Sequence, residues 1–281
     1  DINTSARLNG ASVHWRVEMK RAVGGNNPYL WPKTIGFHTQ GALDQVLRHL
    51  REDKVWCVTE KYDGSNVCLS TDGWIASRHK IIGERGMETC KFQGLTLLKV
   101  HLEALFKDME SLKDKLKLEH FNGVEFELLL YGELLLRGTG NSAKDVYKYR
   151  EKNRDPGDFF CFGIGLVLPE NVQLPVVFQN GILSREGGKT WFVVPLNLYL
   201  TELLTECDIP HIEICAVETL SDILADDKWF RNIAEKKLEG YVLSGTNGEG
   251  LLKLKGVETT LDNEKPVSYT HLRAHETVLD L

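Results

Sequence analysis

The chain has no apolar run long enough to span a bilayer, no C-x-x-C pair and no excess of positive charge. The first absence, with an N-terminus that lacks a charged-then-apolar signal, leads to the expectation of an intracellular, cytoplasmic protein without membrane contact. The second removes the commonest zinc and redox patterns. Six cysteines (Cys57, Cys68, Cys90, Cys161, Cys207, Cys215) sit mostly within apolar stretches. That is the usage of reduced, buried thiols, so neither disulfides nor structural zinc is expected. The nine histidines show no metal-ligand spacing. A formal charge of −6 argues against a protein that coats nucleic acid by bulk electrostatics, while leaving room for a local basic groove. One stretch of that kind runs from Arg137 to Arg154, where Arg137, Lys144, Lys148, Arg150, Lys152 and Arg154 outnumber Asp145 and Glu151. A solvated face explains such a run equally well.

With 281 residues, 42% of them apolar, the chain can build one large or two small domains around a real core. It starts at Asp1 rather than Met, so an upstream piece is expected to be missing, and residues 1–33 read as an N-terminal extension. Val267–Leu281 (VSYTHLRAHETVLDL) resembles, in its first part, a translated transposase sequencing adapter. Residues 266–281 are therefore expected to be a read-through tail, and 34–265 the working domain.

Periodicity places the elements. Gly24-Gly25-Asn26-Asn27-Pro28 marks a loop. Ala42–Leu50 and Leu95–Leu118 carry apolar residues at helical spacing. Val55–Glu60 reads as a strand, Tyr62–Asn66 as a turn, and a second strand starts at Val67. Gly123–Leu136 and Phe159–Leu168 are strand-like. Leu196–Thr205 and Ser221–Lys237 read as helices, the latter with Ser221 as N-cap. Glu239–Ser244 and Leu251–Lys255 flank a Gly245–Gly250 turn, a hairpin pattern. Strands and helices mix without regular alternation, which predicts an α+β fold of antiparallel sheets with flanking helices rather than a doubly wound sheet.

The chemistry begins at Glu60-Lys61-Tyr62-Asp63-Gly64-Ser65-Asn66. A lysine ending a buried strand before a glycine turn can be held rigidly toward a pocket. To act as a nucleophile it must lose its proton, which desolvation or nearby cations favour. K-x-D-G alone is a weak signal, equally at home in a surface turn. Farther on, Lys253 and Lys255 are two apart on one strand, so both ammoniums share a face while Leu252 and Leu254 face the core.

K-Y-D-G-S-N resembles motif I of the covalent nucleotidyltransferases, which comprise DNA ligases, RNA ligases and mRNA capping enzymes. Five further motifs follow in order. Ser77-Arg78, expected on the next strand, resembles the phosphate-contacting arginine motif. Tyr131-Gly132-Glu133-Leu134 resembles motif III, and Phe159–Ile164 the aromatic motif IIIa. Leu238–Leu243, containing Glu239, resembles motif IV, and Leu252–Lys255 motif V. The likeness spans residues 34 to 256 and implies a nucleotidyltransferase (ATP-grasp-like ligase) adenylation domain.

It further implies that Lys61 is the nucleophile, with Arg78, Lys253 and Lys255 as phosphate partners. Glu60, Asn66 and Glu133 join them around ATP. Phe162 is the implied adenine shelf, with Phe160 the other possibility. Glu133 and Glu239 are the implied ligands of Mg²⁺ or Mn²⁺. Asn66 stands where DNA ligases and capping enzymes usually carry arginine, and it is similar to ligases of the RNA ligase 2 type. Trp31-Pro32-Lys33 resembles the opening of that group's domain. Gly163 departs from the usual F-D-I of motif IIIa.

The expected function is an ATP-dependent RNA ligase acting on RNA or a nicked RNA-containing duplex, with no obligate protein partner. An ATP-dependent DNA ligase and a GTP-dependent capping enzyme are the alternatives.

Overall fold

A computed structural model describes residues 23–37, 43–52, 54–92, 95–135 and 158–255. The basic run from Arg137 to Arg154, the first 22 residues and everything after Lys255 lie outside the described residues. The architecture is mixed, with antiparallel sheets and few helices, as the irregular alternation predicts.

One sheet has five strands in the order β1 (Ile35–Gly36), β14 (Leu251–Lys255), β13 (Gly240–Gly245), β2 (Val55–Lys61) and β12 (Ile214–Thr219). All neighbours are antiparallel except β1 and β14. Its strands alternate as half-buried strands do. Trp56 and Val58 of β2, Leu243 of β13, and Leu252 and Leu254 of β14 enter one core. Three helices cover that core: α1 (Leu43–Arg51) through Val46, α4 (Leu220–Ala225) through Leu220 and Ile223, and α5 (Lys228–Glu235) through Trp229 and Ile233. The opposite face, bearing Thr59, Lys61, Val242 and Ser244, is left for the site.

The second sheet runs β10 (Ile182–Glu186), β11 (Lys189–Pro195), β9 (Phe159–Val167), β8 (Glu127–Leu134), β3 (Ser65–Ser70), β4 (Trp74–Ser77), β5 (Ile81–Glu84). Its central strand β8 is apolar almost throughout because both faces are buried. Leu128, Leu130 and Leu134 pack in a core shared with α2 (Lys99–Glu119) and α3 (Leu198–Glu206). Leu129 and Tyr131 pack on the other side with Tyr29, Trp74 and Trp191. Tyr29 belongs to a segment, residues 23–33, that lies against this sheet. A short ribbon, β6 (Thr89–Phe92) with β7 (Leu95–Leu98), completes the described strands. None of the described helices is long and apolar enough to cross a membrane.

Two helix predictions need correction. Leu95–Leu98 is strand, not the first turn of a helix, because it pairs with Thr89–Phe92. The helix proper buries Leu102, Phe106, Met109, Leu112 and Leu116. Ser221–Lys237 is two helices rather than one, and Thr219 is the cap, its Oγ1 accepting from the Asp222 N–H at 3.1 Å. The break falls at Asp226, whose Oδ1 accepts from the Lys228 N–H at 2.8 Å. A local side-chain acceptor there competes with continuation of the first helix and opens the second. Asn197 caps α3 in the same way, accepting from the Leu200 N–H at 2.7 Å.

Candidate active site

The chain crosses between the two sheets at Tyr62-Asp63-Gly64, so Lys61 ends a strand of one and Asn66 lies near the start of a strand of the other. Buried Tyr62 pins the crossing, with its ring edge-on to Phe160 at 5.2 Å between centroids. Beside the crossing lies a cavity of about 540 Å³. The five-stranded sheet contributes Thr59, Lys61, Val242 and Ser244 to its wall, and the seven-stranded sheet Asn66, Ser77, Glu133 and Phe162.

Cross-strand register assembles a charged cluster beside the cavity, of which Lys61 lines the wall while Glu239, Lys253 and Lys255 lie outside the lining. Gly240 faces Lys61 on one side and Lys255 on the other. Lacking a side chain, it lets the two lysines lean toward each other across the strand between them. A Cβ on Gly240 would sit 2.0 Å from the Leu254 carbonyl oxygen, and its φ of +154° disfavours other residues. Glu239, buried at 6% exposure, receives both ammoniums: Lys61 Nζ lies 2.5 Å from Oε2 and Lys255 Nζ 2.9 Å from Oε1. Lys253 occupies the adjacent row, opposite Val242, which in turn faces Thr59. Lys253 and Lys255 are half-buried while Leu252 and Leu254 are in the core, as their spacing predicts.

Asn66 and Glu133 are cross-strand partners on the facing sheet. Burial pushes the Glu133 carboxyl up, to about 8, and Glu239 and Asp63 push it the same way, against the opposing pull of Lys61. A carboxyl kept from ionising chiefly by burial is one whose charged form a nearby cation would favour. Among the described residues no group of three or more His, Cys, Asp or Glu could hold a metal. Mg²⁺ needs no such cage when substrate phosphates supply the remaining oxygens, so Glu133 fits the role. Glu239 meets it less directly, since both its oxygens already face ammoniums.

Two predicted residues sit differently from expectation. Arg78 is not on a strand: β4 ends at Ser77, and Arg78 is the first residue of the exposed turn that follows, still lining the cavity. Glu60 lines the cavity as well, but strand alternation sends its side chain opposite to Thr59 and Lys61. Its charge is felt there by Cys215 and Tyr241. Of the two aromatic candidates, Phe162 lines the cavity while Phe160 packs on Tyr62. Five of the six cysteines are buried and Cys215 is exposed.

The sequence reading gave no role to Trp31 or His79, yet both line the cavity. Trp31 meets Phe162 edge-on at 4.7 Å and Tyr131 at 5.1 Å. It also accounts for Gly163. A Cβ there would lie 2.5 Å from Trp31 Cη2 and 2.7 Å from the Val194 carbonyl oxygen, so the aspartate of F-D-I has no room. The Trp31-Pro32 signature was the available signal. Nothing in the sequence marks His79.

Comparison with known proteins adds three findings. Residues 54–255, well over half of the chain, match the family model described as RNA ligase. No curated protein matches. Among solved structures, a Naegleria gruberi RNA ligase with AMP and Mn is 16% identical, covering 84% of this chain and 59% of that one, at a TM-score of 0.48. The Naegleria gruberi enzyme with ATP and Mn gives 16% identity, 84% and 59% coverage, and a TM-score of 0.46. An apo form gives 15%, 91% and 61%, and 0.45. This chain thus spans about three fifths of the length of these structures.

Proposed function

The chain belongs to the RNA ligase family, and from that premise we propose that it is the adenylation unit of an ATP-dependent RNA ligase, a covalent nucleotidyltransferase with Lys61 as nucleophile. The observation that carries this reading is the position of Lys61. Its ammonium is held 2.5 Å from a buried carboxylate at the edge of a nucleotide-sized cavity, with Lys255 on the same carboxylate.

In the first step Lys61 Nζ attacks the α-phosphorus of ATP. The N–P bond forms as the bond to the β-phosphate oxygen breaks, and pyrophosphate leaves. Glu239 Oε2 is the acceptor in place for the Nζ proton. In the second step the AMP passes to a 5′-phosphate, freeing Lys61. In the third a 3′-hydroxyl attacks the activated 5′-phosphorus and AMP departs. Each is an in-line displacement, so catalysis consists mainly of positioning and charge neutralisation. Arg78, Lys253 and Lys255 supply the positive charge, Phe162 the shelf for adenine, and Asn66 and Glu133 polar partners for the rest of the nucleotide. Glu133 would hold Mg²⁺ or Mn²⁺, which neutralises phosphate charge when bound. The substrate is RNA or a nicked RNA-containing duplex.

The test is incubation with α-labelled ATP or GTP and Mg²⁺, followed by denaturing electrophoresis. Labelled protein with ATP, and none with Lys61→Ala, is expected. Labelling from GTP alone would favour a capping activity, and labelling of the Lys61→Ala variant would place the nucleophile elsewhere.

A further inference from the structure

Arg78 and His79 occupy an exposed turn, and an exposed turn is ordinarily among the mobile parts of a protein. This one is tied down by a residue far away in sequence. Asn27 is buried at 6% exposure. Its Nδ2 donates to the Ser77 carbonyl at 3.1 Å and the Arg78 carbonyl at 3.4 Å. Its backbone N–H donates to the His79 carbonyl at 2.9 Å. Its Oδ1 accepts from the Tyr29 N–H at 3.0 Å, so the amide is engaged on both sides. Neighbours extend the clamp. Gly24 donates to Ile81 and Ile81 to Gly25, each at 2.8 Å, and Lys80 Nζ reaches Asn26 Oδ1 at 3.0 Å.

We infer that Asn27 is a positioning residue for phosphate binding: it holds three consecutive carbonyls, Ser77 to His79, so that Arg78 and His79 face the cavity in one arrangement. The inference rests on the adenylation reading of that cavity. Asparagine suits the task because one side chain offers two donors for adjacent carbonyls and an acceptor for a third group. Aspartate would set a carboxylate against those carbonyls, and alanine would leave them without their donor. The segment that carries Asn27 lies before the residues matched by the family model, which begin at 54.

The experiment is a double-mutant cycle on single-turnover adenylylation with Asn27→Ala, Arg78→Ala and the pair, run well below each variant's Tm. Asn27→Ala is expected to slow the reaction by about tenfold or more, chiefly as weaker apparent ATP binding. Added to Arg78→Ala it should slow the reaction by less than it slows the wild type, because part of its effect runs through Arg78 and the rest through His79, while its effect on Tm persists in the pair. If Asn27→Ala fails to fold, Asn27→Ser replaces it, keeping an acceptor for Tyr29. A wild-type rate for the Asn27 variant, or losses that multiply in the pair, overturns the inference alone. A wild-type rate for Arg78→Ala overturns the role of Arg78 and the inference with it.

Discussion

Lys61 and Lys255 are joined through one carboxylate, although 194 positions of sequence separate the pair and a third strand lies between theirs. Glu239 binds both ammoniums, and Gly240 is the residue each lysine faces in the sheet. If Lys61 takes AMP as proposed, that arrangement keeps the nucleophile and a phosphate partner on strands, with their shared carboxylate on the residue just before the strand between them.

It follows that Lys255→Ala should cripple adenylylation without unfolding the protein. Loss of one charge-assisted contact in a shielded site costs roughly 2–4 kcal/mol of transition-state stabilisation, a drop of about thirtyfold to a thousandfold. Lys255→Arg keeps the charge with a different shape and should rescue only in part. Single-turnover labelling checks both. Near-normal rates in the alanine variant would make the hairpin a scaffold.

Gly240→Ala is expected to be among the most destabilising single-methyl additions in the chain. The new Cβ would meet backbone, the Leu254 carbonyl oxygen at 2.0 Å, at a φ of +154°. Backbone cannot swing aside as a side-chain tip can, so a cost of at least about 2 kcal/mol is expected. Urea denaturation read by circular dichroism measures it. A midpoint equal to wild type would mean that the hairpin register differs from the one described.

Glu133 yields a pH prediction with a definite sign. Its carboxyl is raised from 4.5 to about 8 by burial first, then by Glu239 and Asp63. Between those values the folded chain holds a proton that the unfolded chain has released. Stability therefore falls as pH rises through this window, and the whole penalty is present above pH of about 8. Glu133→Gln removes the ionisation. In the absence of ATP and divalent metal, the Tm difference between variant and wild type should grow in the variant's favour from acid to pH of about 8. A difference that stays flat across the range would show that Glu133 ionises normally.

Much of this is legible in the sequence, for physical reasons. Leu252–Lys255 alternates on a half-buried strand, so its two cationic side chains announce their common face. Leu102 to Leu116 repeats at helical spacing and is helical. The failures are tertiary. Leu95–Leu98 continues the apolar pattern of the helix, and only pairing with Thr89–Phe92 makes it strand. Glu60 is the exception, a local failure: it stands next to Lys61 in sequence, and strand alternation already turns its side chain away. The space above Gly163 is filled by Trp31, a contact across 132 positions that no local pattern encodes.

The last prediction concerns the polynucleotide. Asn66 stands at the motif I position where DNA ligases and capping enzymes usually carry arginine, and here it faces Glu133 across two strands at the cavity wall. Family membership and that residue together point to sealing at a ribonucleotide 3′-hydroxyl. A ribose 2′-hydroxyl is both donor and acceptor, so a site built around it leaves polar groups unpaired when deoxyribose takes its place. Two nicked duplexes, identical except that the 3′-hydroxyl strand ends in ribonucleotides or in deoxyribonucleotides, isolate this effect. Ligation should be at least about tenfold faster with the ribonucleotide end, the discrimination that one lost hydrogen bond of 1.4 kcal/mol produces. In the proposed mechanism Lys61 is charged with AMP before the nick is engaged, so adenylylation should be equal in the two reactions, and any difference belongs to the later steps. Equal sealing rates would favour a DNA ligase and would deprive Asn66 of its meaning as a marker of substrate.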